Sequence, residues 1–547
     1  MKKITFLLTL IPLLFICSVT FSQPFIIWNK AYNGPANLQD SAVAVSVNPA
    51  GQVFVTGWSL GSTTAADIVT LRYNPDTGDT IWVKRVGSTL EDKPTSMVSD
   101  NNAVYVTGWS FNPGRDIITI KFNAATGDTT WVRRYNGSNN GGDYGFSITV
   151  DASGNVYVAG RSDVTGGLGQ KFTILKYDAS GNVAAGFPYI YTAGLSTIFD
   201  EAHSIKVDGS GGIYVTGKSG TAGLEDFLTI KLNSAGVLQW AKKHRGASNN
   251  EDNAVALVID ASNVFVSGYG FRPANIQDFV TIKYNATTGD SLAYASYTGP
   301  ANQIDIVTAM TIDASSNVYV TGYSQGTGTG LYDYATIKYN SLLVQQWVMR
   351  MSDPSNGSDL PYSIGIDNTG AVYVTGSSQG AGTNFDYLTV KYNSAGVQQW
   401  FKRENGNTNG NDYASSIAVF DTGKIFITGS ANFTPPGSIV YYTIRYSNVV
   451  GIKPISNIVP SSYSLNQNYP NPFNPTTNFK FGIPKSGFVN ITLYDMLGRE
   501  MEKLVNENLN AGEYLVDLDA SKYSSGVYYY KLTTDEFTQT KKMMLVK

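Results

Sequence analysis

The string Val-Phe-Val-Thr-Gly at residues 53–57 returns seven more times along the chain. The copies are Val104–Gly108, Val156–Gly160, Ile213–Gly217, Val264–Gly268, Val318–Gly322, Val372–Gly376 and Ile425–Gly429, spaced 51 to 57 residues apart. A motif that recurs at a long, nearly constant period means that one supersecondary unit is copied, and that a single copy cannot bury its apolar face alone. Each copy brings the same neighbours. From Asp143 to Gly160 they are an Asp, the run Ser-Ile-Thr-Val-Asp, a Ser-Gly-Asn turn and Val-Tyr-Val-Ala-Gly. A glycine-rich loop follows, then a run like Thr119-Ile-Lys-Phe-Asn, a turn like Thr126-Gly-Asp and a run like Trp131-Val-Arg-Arg-Tyr. Four short alternating segments separated by turn residues predict four strands per unit. No segment has the length and 3.6-residue period of a helix. The unit therefore reads as a propeller blade, and the chain as an all-β, eight-bladed β-propeller with a smaller β-domain behind it.

The ends of the repeated region decide between a ring and a rod. Ile26-Ile-Trp-Asn-Lys-Ala-Tyr-Asn-Gly34 is the fourth strand of a unit without its first three, whereas the final unit, Asp412 to Tyr446, has three strands and lacks the fourth. Offset ends let the first strand complete the last blade and pair an otherwise open edge. An open solenoid has no use for that arrangement. The repeat resembles the bacterial SBBP β-propeller repeat over about residues 26–447, and its Asp…Asp-x-x-Gly-Asn-Val-Tyr-Val-Thr-Gly pattern is also similar to six-bladed NHL-type propellers. The resemblance implies the architecture and no particular activity.

Upstream, Lys2 and Lys3 precede the apolar run Ile4 to Val19 and then Thr20-Phe-Ser-Gln23, which predicts a signal peptide over residues 1–22. The run is too short for a membrane span. Ile16 is bulky where a lipoprotein box before Cys17 wants a small residue, so lipidation is not expected. Cys17 is the sole cysteine, and it leaves with that peptide. The mature chain then has no disulfide, thiolate metal site or cysteine nucleophile, and core packing must hold it together. A net charge of −3 supplies no basic field for nucleic acid. The 55 glycines and 35 tyrosines suit a protein of turns and strands.

Repetition stops after Tyr446. We divide the chain into the signal peptide (1–22), the propeller (23–447), a linker (448–462) and a C-terminal domain (463–547). Alternation at 488–494, 513–518 and 527–533 predicts a small Ig-like β-sandwich. This segment resembles the C-terminal sorting domain of proteins exported by type IX secretion in Bacteroidetes-like bacteria. The residues carrying the likeness are Tyr469-Pro470-Asn471-Pro472-Phe473-Asn-Pro475, Tyr494-Asp495, Gly498-Arg499, Gly526-Val-Tyr528 and the Lys541-Lys542 ending. The resemblance implies recognition by the secretion translocon, then release of the protein or its attachment to the cell surface.

The inventory for catalysis is thin. His203 and His244 are the two histidines, in different strands, and neither recurs; pairing His203 with Asp200 would use a repeat position. No Gly-x-Gly-x-x-Gly joins a strand to a helix. Carboxylates recur in register instead. Asp40, Asp92, Asp143, Asp200, Asp252, Asp305, Asp359 and Asp412 open the first strands. Asp67, Asp116, Asp226, Asp278, Asp333 and Asp386 open third strands, where units three and eight carry Lys171 and Val440. Both sets belong at one end of the propeller. They read chiefly as turn locks, with a Ca²⁺-attracting ring as the alternative. Arg72, Lys121, Lys176, Lys231, Lys283, Lys338, Lys391 and Arg445 recur as basic residues along blade edges, and Trp28, Trp82, Trp131, Trp240, Trp347 and Trp400 as fourth-strand packing residues.

The position after each Thr-Gly pair varies: Trp58, Trp109, Arg161, Lys218, Tyr269, Tyr323, Ser377 and Ser430. An architectural position stays constant, whereas a recognition position is free to vary. Aromatic rings beside carboxylates suit sugar stacking and hydroxyl hydrogen bonds. The expectation is a monomeric, non-catalytic propeller without a cofactor, binding a glycan or protein through that face. A secreted polysaccharide hydrolase or lyase and a passive envelope module are the alternatives.

Overall fold

In the repeated strand, alternation puts Val53 and Val55 on one side and Phe54 on the other, and all three are fully buried. A strand apolar on both faces must be covered on both, and in this computed structural model the covering is done by neighbouring blades. Val53 and Val55 pack with Trp28, Phe426 and Tyr441 of the last blade, whereas Phe54 packs with Trp82, Val104 and Ile118 on the side of the second. The described residues are 24 and 26–547, apart from 63–64, 113, 165–168, 193–198, 222, 248–249, 274–275, 328–330, 354–356, 381–383, 421–423, 435–437, 448–451, 457–458 and 521–522. The proposed signal peptide lies outside them, as does most of the Gly166–Gln170 loop of unit three.

Among the described residues eight groups of antiparallel strands follow the repeat. Blade one is Asp40–Val47, Val53–Leu60, Ala66–Tyr73 and Thr80–Val86, hydrogen-bonded in that order. Blade eight takes Tyr413–Phe420, Lys424–Phe433 and Ser438–Ser447 from the chain's later part and Ile26–Tyr32 from its beginning. Asn29 pairs with Ile444 and Tyr32 with Tyr441, so the first segment closes the ring. Each first strand touches the first strands of the blades before and after it, including Asp40–Val47 against Tyr413–Phe420. The eight first strands therefore surround one central channel. Blade three departs from the pattern, because its fourth strand is only Tyr189–Ile190 and its third strand meets Phe199 of blade four in parallel at Gln170.

A repeated clamp joins the blades. Arg72, Lys121, Lys176, Lys231, Lys283, Lys338 and Arg445 each donate to a turn carbonyl of the following blade at 2.7 to 3.3 Å. Trp82, Trp131, Trp240 and Trp347 donate Nε1–H to the same carbonyl as the basic residue of their own blade, at 3.2 to 3.3 Å. Trp28 makes this bond to Pro75 across the closure, at 2.9 Å.

The motif glycine has a steric cause. In every blade the first strand bulges opposite it, between Ala42 and Ala44 in blade one. A Cβ on Gly57 would stand 2.1 Å from the Ser41 carbonyl oxygen, and one on Gly217 would stand 1.9 Å from that of Glu201. Such bulges re-aim the side chains beside them.

The C-terminal domain stacks two four-stranded sheets around Phe473, Phe479, Ile491, Leu493, Val516 and Tyr530. One sheet begins with Ile452–Ser456, paired to Gly512–Asp519. The linker reading of 448–462 is corrected here: proline is tolerated at a sheet edge, so Pro454 disguises a strand. In the sorting motif Phe473 is buried and bonds the 544–546 backbone, and Asn471 accepts from Met544 N–H at 2.9 Å. Pro470 accepts from Thr477 at 2.8 Å, and Tyr469 stands 78% exposed. Arg499 closes a turn on Asp495 at 2.7 Å, with Gly498 at φ +78° between them. Pro472 precedes Phe473, and Gly526 starts the strand Gly526–Thr533. Among the described residues no helix is long and apolar enough to cross a membrane.

Candidate functional site

Asp40 pairs with Ser59, and Ser59 in turn with Asp67, which puts both acid series at one end of the ring. The eight first-strand aspartates are at most 1% exposed. Most hold the backbone of the preceding loop: Asp40 accepts from Gly34 at 2.6 Å, Asp92 from Ser88 at 2.7 Å, Asp143 from Gly137 at 2.6 Å and Asp305 from Gly299 at 2.6 Å. Asp252, Asp359 and Asp412 do the same to Gly246, Asp353 and Gly406. Asp67, Asp226, Asp278, Asp333 and Asp386 each pair with an arginine of their own blade at 2.6 to 3.0 Å. In blade three Lys171 stands in that place and reaches Asp200 of the next blade at 3.1 Å, both 1% exposed. Seven of the first-strand carboxylates thus turn into the loop before them, and five of the third-strand ones face an arginine. Among the described residues no three His, Cys, Asp or Glu side chains gather to hold a metal ion.

Burial raises the carboxyls of Asp359 and Asp412 to about 6, against 3.8 for a free aspartate. The folded chain then holds more protons than the unfolded one between those values, and stability rises as pH falls from 7 towards 5. We expect a higher melting temperature at pH 5 than at pH 7.5, and a smaller difference in Asp359→Asn/Asp412→Asn. A flat profile in the parent protein would contradict the assignment.

The variable residues lie where the first two strands meet the channel mouth. Their cross-strand partners are the residues just after the aspartates: Ser41 with Trp58, Lys93 with Trp109, Tyr144 with Arg161 and Glu201 with Lys218. Asn253 with Tyr269, Ile306 with Tyr323, Leu360 with Ser377 and Tyr413 with Ser430 complete the ring. Trp58, Trp109, Arg161, Lys218, Tyr269 and Tyr323 are half-buried, while Ser377 and Ser430 are buried. The first-strand partners escaped the sequence reading. Their signal was the same one, variation beside a constant Asp.

These side chains touch from blade to blade. Lys93 Nζ lies 4.6 Å from the Trp58 ring centre and 5.9 Å from that of Trp109. Arg115 sits 4.7 Å over Trp109 and 5.7 Å over Tyr144, and Arg161 sits 4.5 Å over Tyr144. The tryptophans therefore stand beside cations rather than beside the carboxylates expected from the sequence. Further round, Glu201 binds Arg161, meets His203 Nε2 at 3.2 Å and lies 3.6 Å from Lys218, which reaches Glu251 at 2.8 Å. His203 Nδ1 contacts the Ala254 carbonyl of blade five at 3.0 Å. In the same strand position Thr95 and Ser415 donate to carbonyls of their own following blades. Burial raises the Glu201 carboxyl, but His203, Arg161 and Lys218 outweigh it and bring it down to about 2. Beyond Tyr269 the paired positions carry no charge, and Tyr323 lies against Tyr332 at 5.0 Å.

Fold and mouth together define a closed propeller with a decorated channel entrance, joined to a β-sandwich. Residues 130–167 match the β-propeller repeat model (SBBP), and residues 467–547 match the secretion system C-terminal sorting domain. The chain thus carries an SBBP β-propeller repeat and a type IX sorting domain, which marks it for export to the cell surface or the medium through that machinery. No curated protein matches it in sequence. Among solved structures it is similar to the quinohemoprotein alcohol dehydrogenase of Comamonas testosteroni, at 13% identity over 82% of this chain and 79% of that one, TM-score 0.47. The WD40 domain of SCAP from fission yeast is similar at 11% identity over 77% and 94%, TM-score 0.41. PorZ, a surface component of the type IX secretion system of Porphyromonas gingivalis, is similar at 10% identity over 95% and 100%, TM-score 0.21. What those proteins bind or catalyse is theirs.

Proposed function

We propose that this exported propeller is a monomeric, non-catalytic binding protein that takes a glycan through the channel mouth. The observation carrying this reading is the contrast between frame and mouth. Clamp, bulge and buried aspartates recur from blade to blade, whereas the paired positions at the mouth change in size, charge and aromaticity. Half-buried aromatic rings with polar heads suit a ligand that offers both an apolar face and hydrogen-bonding groups. Catalysis has one feature in its favour, the gathering of Glu201, His203, Arg161 and Lys218. A general acid or base works best with a pKa near the working pH, and Glu201 at about 2 is far from it. Both His203 nitrogens are engaged as well. The cluster acts as an ion network joining blades three, four and five.

The test is retention of the secreted chain on an array of polysaccharides, with Trp58→Ala/Trp109→Ala beside it. We expect the parent to be retained, the variant to lose at least tenfold in affinity with its melting temperature within a few degrees, and no new reducing or unsaturated ends in the bound polymer. Equal retention of parent and variant would overturn binding through these two rings, and no retention by either would support the passive module. Accumulating chain ends would support the enzyme.

A further inference from the structure

Across blades one to three the mouth alternates flat rings and fixed cations: Trp58, Lys93, Trp109, Arg115, Tyr144 and Arg161. Trp109 and Tyr144 meet edge to face at 6.1 Å, and Arg115 donates to the Tyr144 hydroxyl at 3.0 Å. Lys93 and Arg115 thereby each have their charged group near two rings and Arg161 has its own over Tyr144, and all six side chains are half-buried. The Nε–H groups of Arg115 and Arg161 are buried and without a hydrogen-bond partner among the described residues. Among the described residues two of the three cations already have an acid beside them: Glu91 pairs with Lys93, and Glu201 takes Arg161. Among the described residues Arg115, in the middle, donates to the Tyr144 hydroxyl and lies over two rings, and it pairs with no carboxylate.

We propose that this sector binds an acidic polysaccharide, one whose sugar units carry carboxylates, a specificity that rests on the mouth being a glycan-binding surface. A neutral sugar stacked on these rings offers the neighbouring cations no charge to pair with. A uronic-acid unit engages both, its ring lying against an aromatic face and its carboxylate taking the guanidinium fork, the pairing for which arginine is built. Cations already ordered over rings lose little further freedom on binding. An acidic peptide supplies the charge but no flat apolar face in each unit, so the interleaved rings favour the sugar polymer.

The experiment measures affinity of the full secreted chain for polygalacturonate, alginate and hyaluronate, with fully methyl-esterified polygalacturonate and polyglutamate beside them. We expect at least one acidic polysaccharide to bind ten times more tightly than both the ester and polyglutamate, and its affinity to fall with salt. Lys93→Ala/Arg115→Ala should abolish that preference, and Lys93→Gln/Arg115→Gln, which keeps the stems that fill the stack, should do the same with an unchanged melting curve. Equal binding of ester and acid overturns the acidic specificity while leaving the glycan reading standing. Polyglutamate binding as well as the polysaccharides assigns the sector to an acidic protein. No binding to any acidic polymer overturns the proposal, and retention on neutral members of the polysaccharide array then decides the broader reading.

Discussion

Trp28→Ala should destabilise the propeller by about 3 to 5 kcal/mol, the range for removing a large buried aromatic side chain. Trp28 is 6% exposed, packs against Tyr73 and Phe426 at 5.7 and 5.9 Å, and bonds the Pro75 carbonyl. It belongs to the strand of seven residues from the chain's beginning that completes blade eight. Trp240 makes the equivalent contacts between blades four and five, where the chain itself already joins the two. The alanine variants should therefore differ in kind. Trp240→Ala loses packing, whereas Trp28→Ala also lets Ile26–Tyr32 detach and leaves the edge of Ser438–Ser447 unpaired. Urea unfolding gives the first effect. Limited proteolysis under native conditions gives the second, as early cleavage near residue 33 in Trp28→Ala alone. Identical cleavage patterns would mean that the ring is held without this strand.

Lys171→Met is the second large effect expected. Lys171 and Asp200 lie 3.1 Å apart, each 1% exposed, across the blade three–four junction. Removing one partner of a buried ion pair strands the other charge and costs about 3 to 5 kcal/mol, whereas replacing both is often nearly neutral. Lys171→Met should lower the unfolding midpoint strongly, and Lys171→Met/Asp200→Asn should recover most of the loss. Failure of the double variant to recover would mean that the pair does more than neutralise itself. The place of this pair explains an irregularity visible in the sequence. Where five other blades carry a third-strand Asp bound to an arginine of the same blade, blade three carries the lysine and spends it on its neighbour. Its fourth strand is the two-residue Tyr189–Ile190, so this junction relies more on side chains than the others do.

Much of the frame was legible because repetition turns one local pattern into eight. Period-two alternation around Val53–Gly57 specifies a strand covered on both faces, and the unmatched strands at the two ends require each other. Pro454 hid an edge strand, since a residue that cannot donate to a ladder reads as a break. The site was half legible. Variation after the Thr-Gly pair pointed to Trp58, Trp109, Arg161, Lys218, Tyr269 and Tyr323, but their first-strand partners went unnoticed.

The amino-acid order by itself determined the blade, the number of copies, the offset closure and the sorting domain, because alternation, turn residues and repetition are local and survive without knowledge of the rest of the chain. The tertiary structure alone decided what the mouth is made of. Lys93 reaches Trp58 from 35 positions away, and Arg161 finds Glu201 at 40, and only the rotation of one blade onto the next makes them neighbours. It also decided how deeply the first-strand aspartates, read from the sequence as turn locks, are buried, since burial depends on everything packed around a side chain.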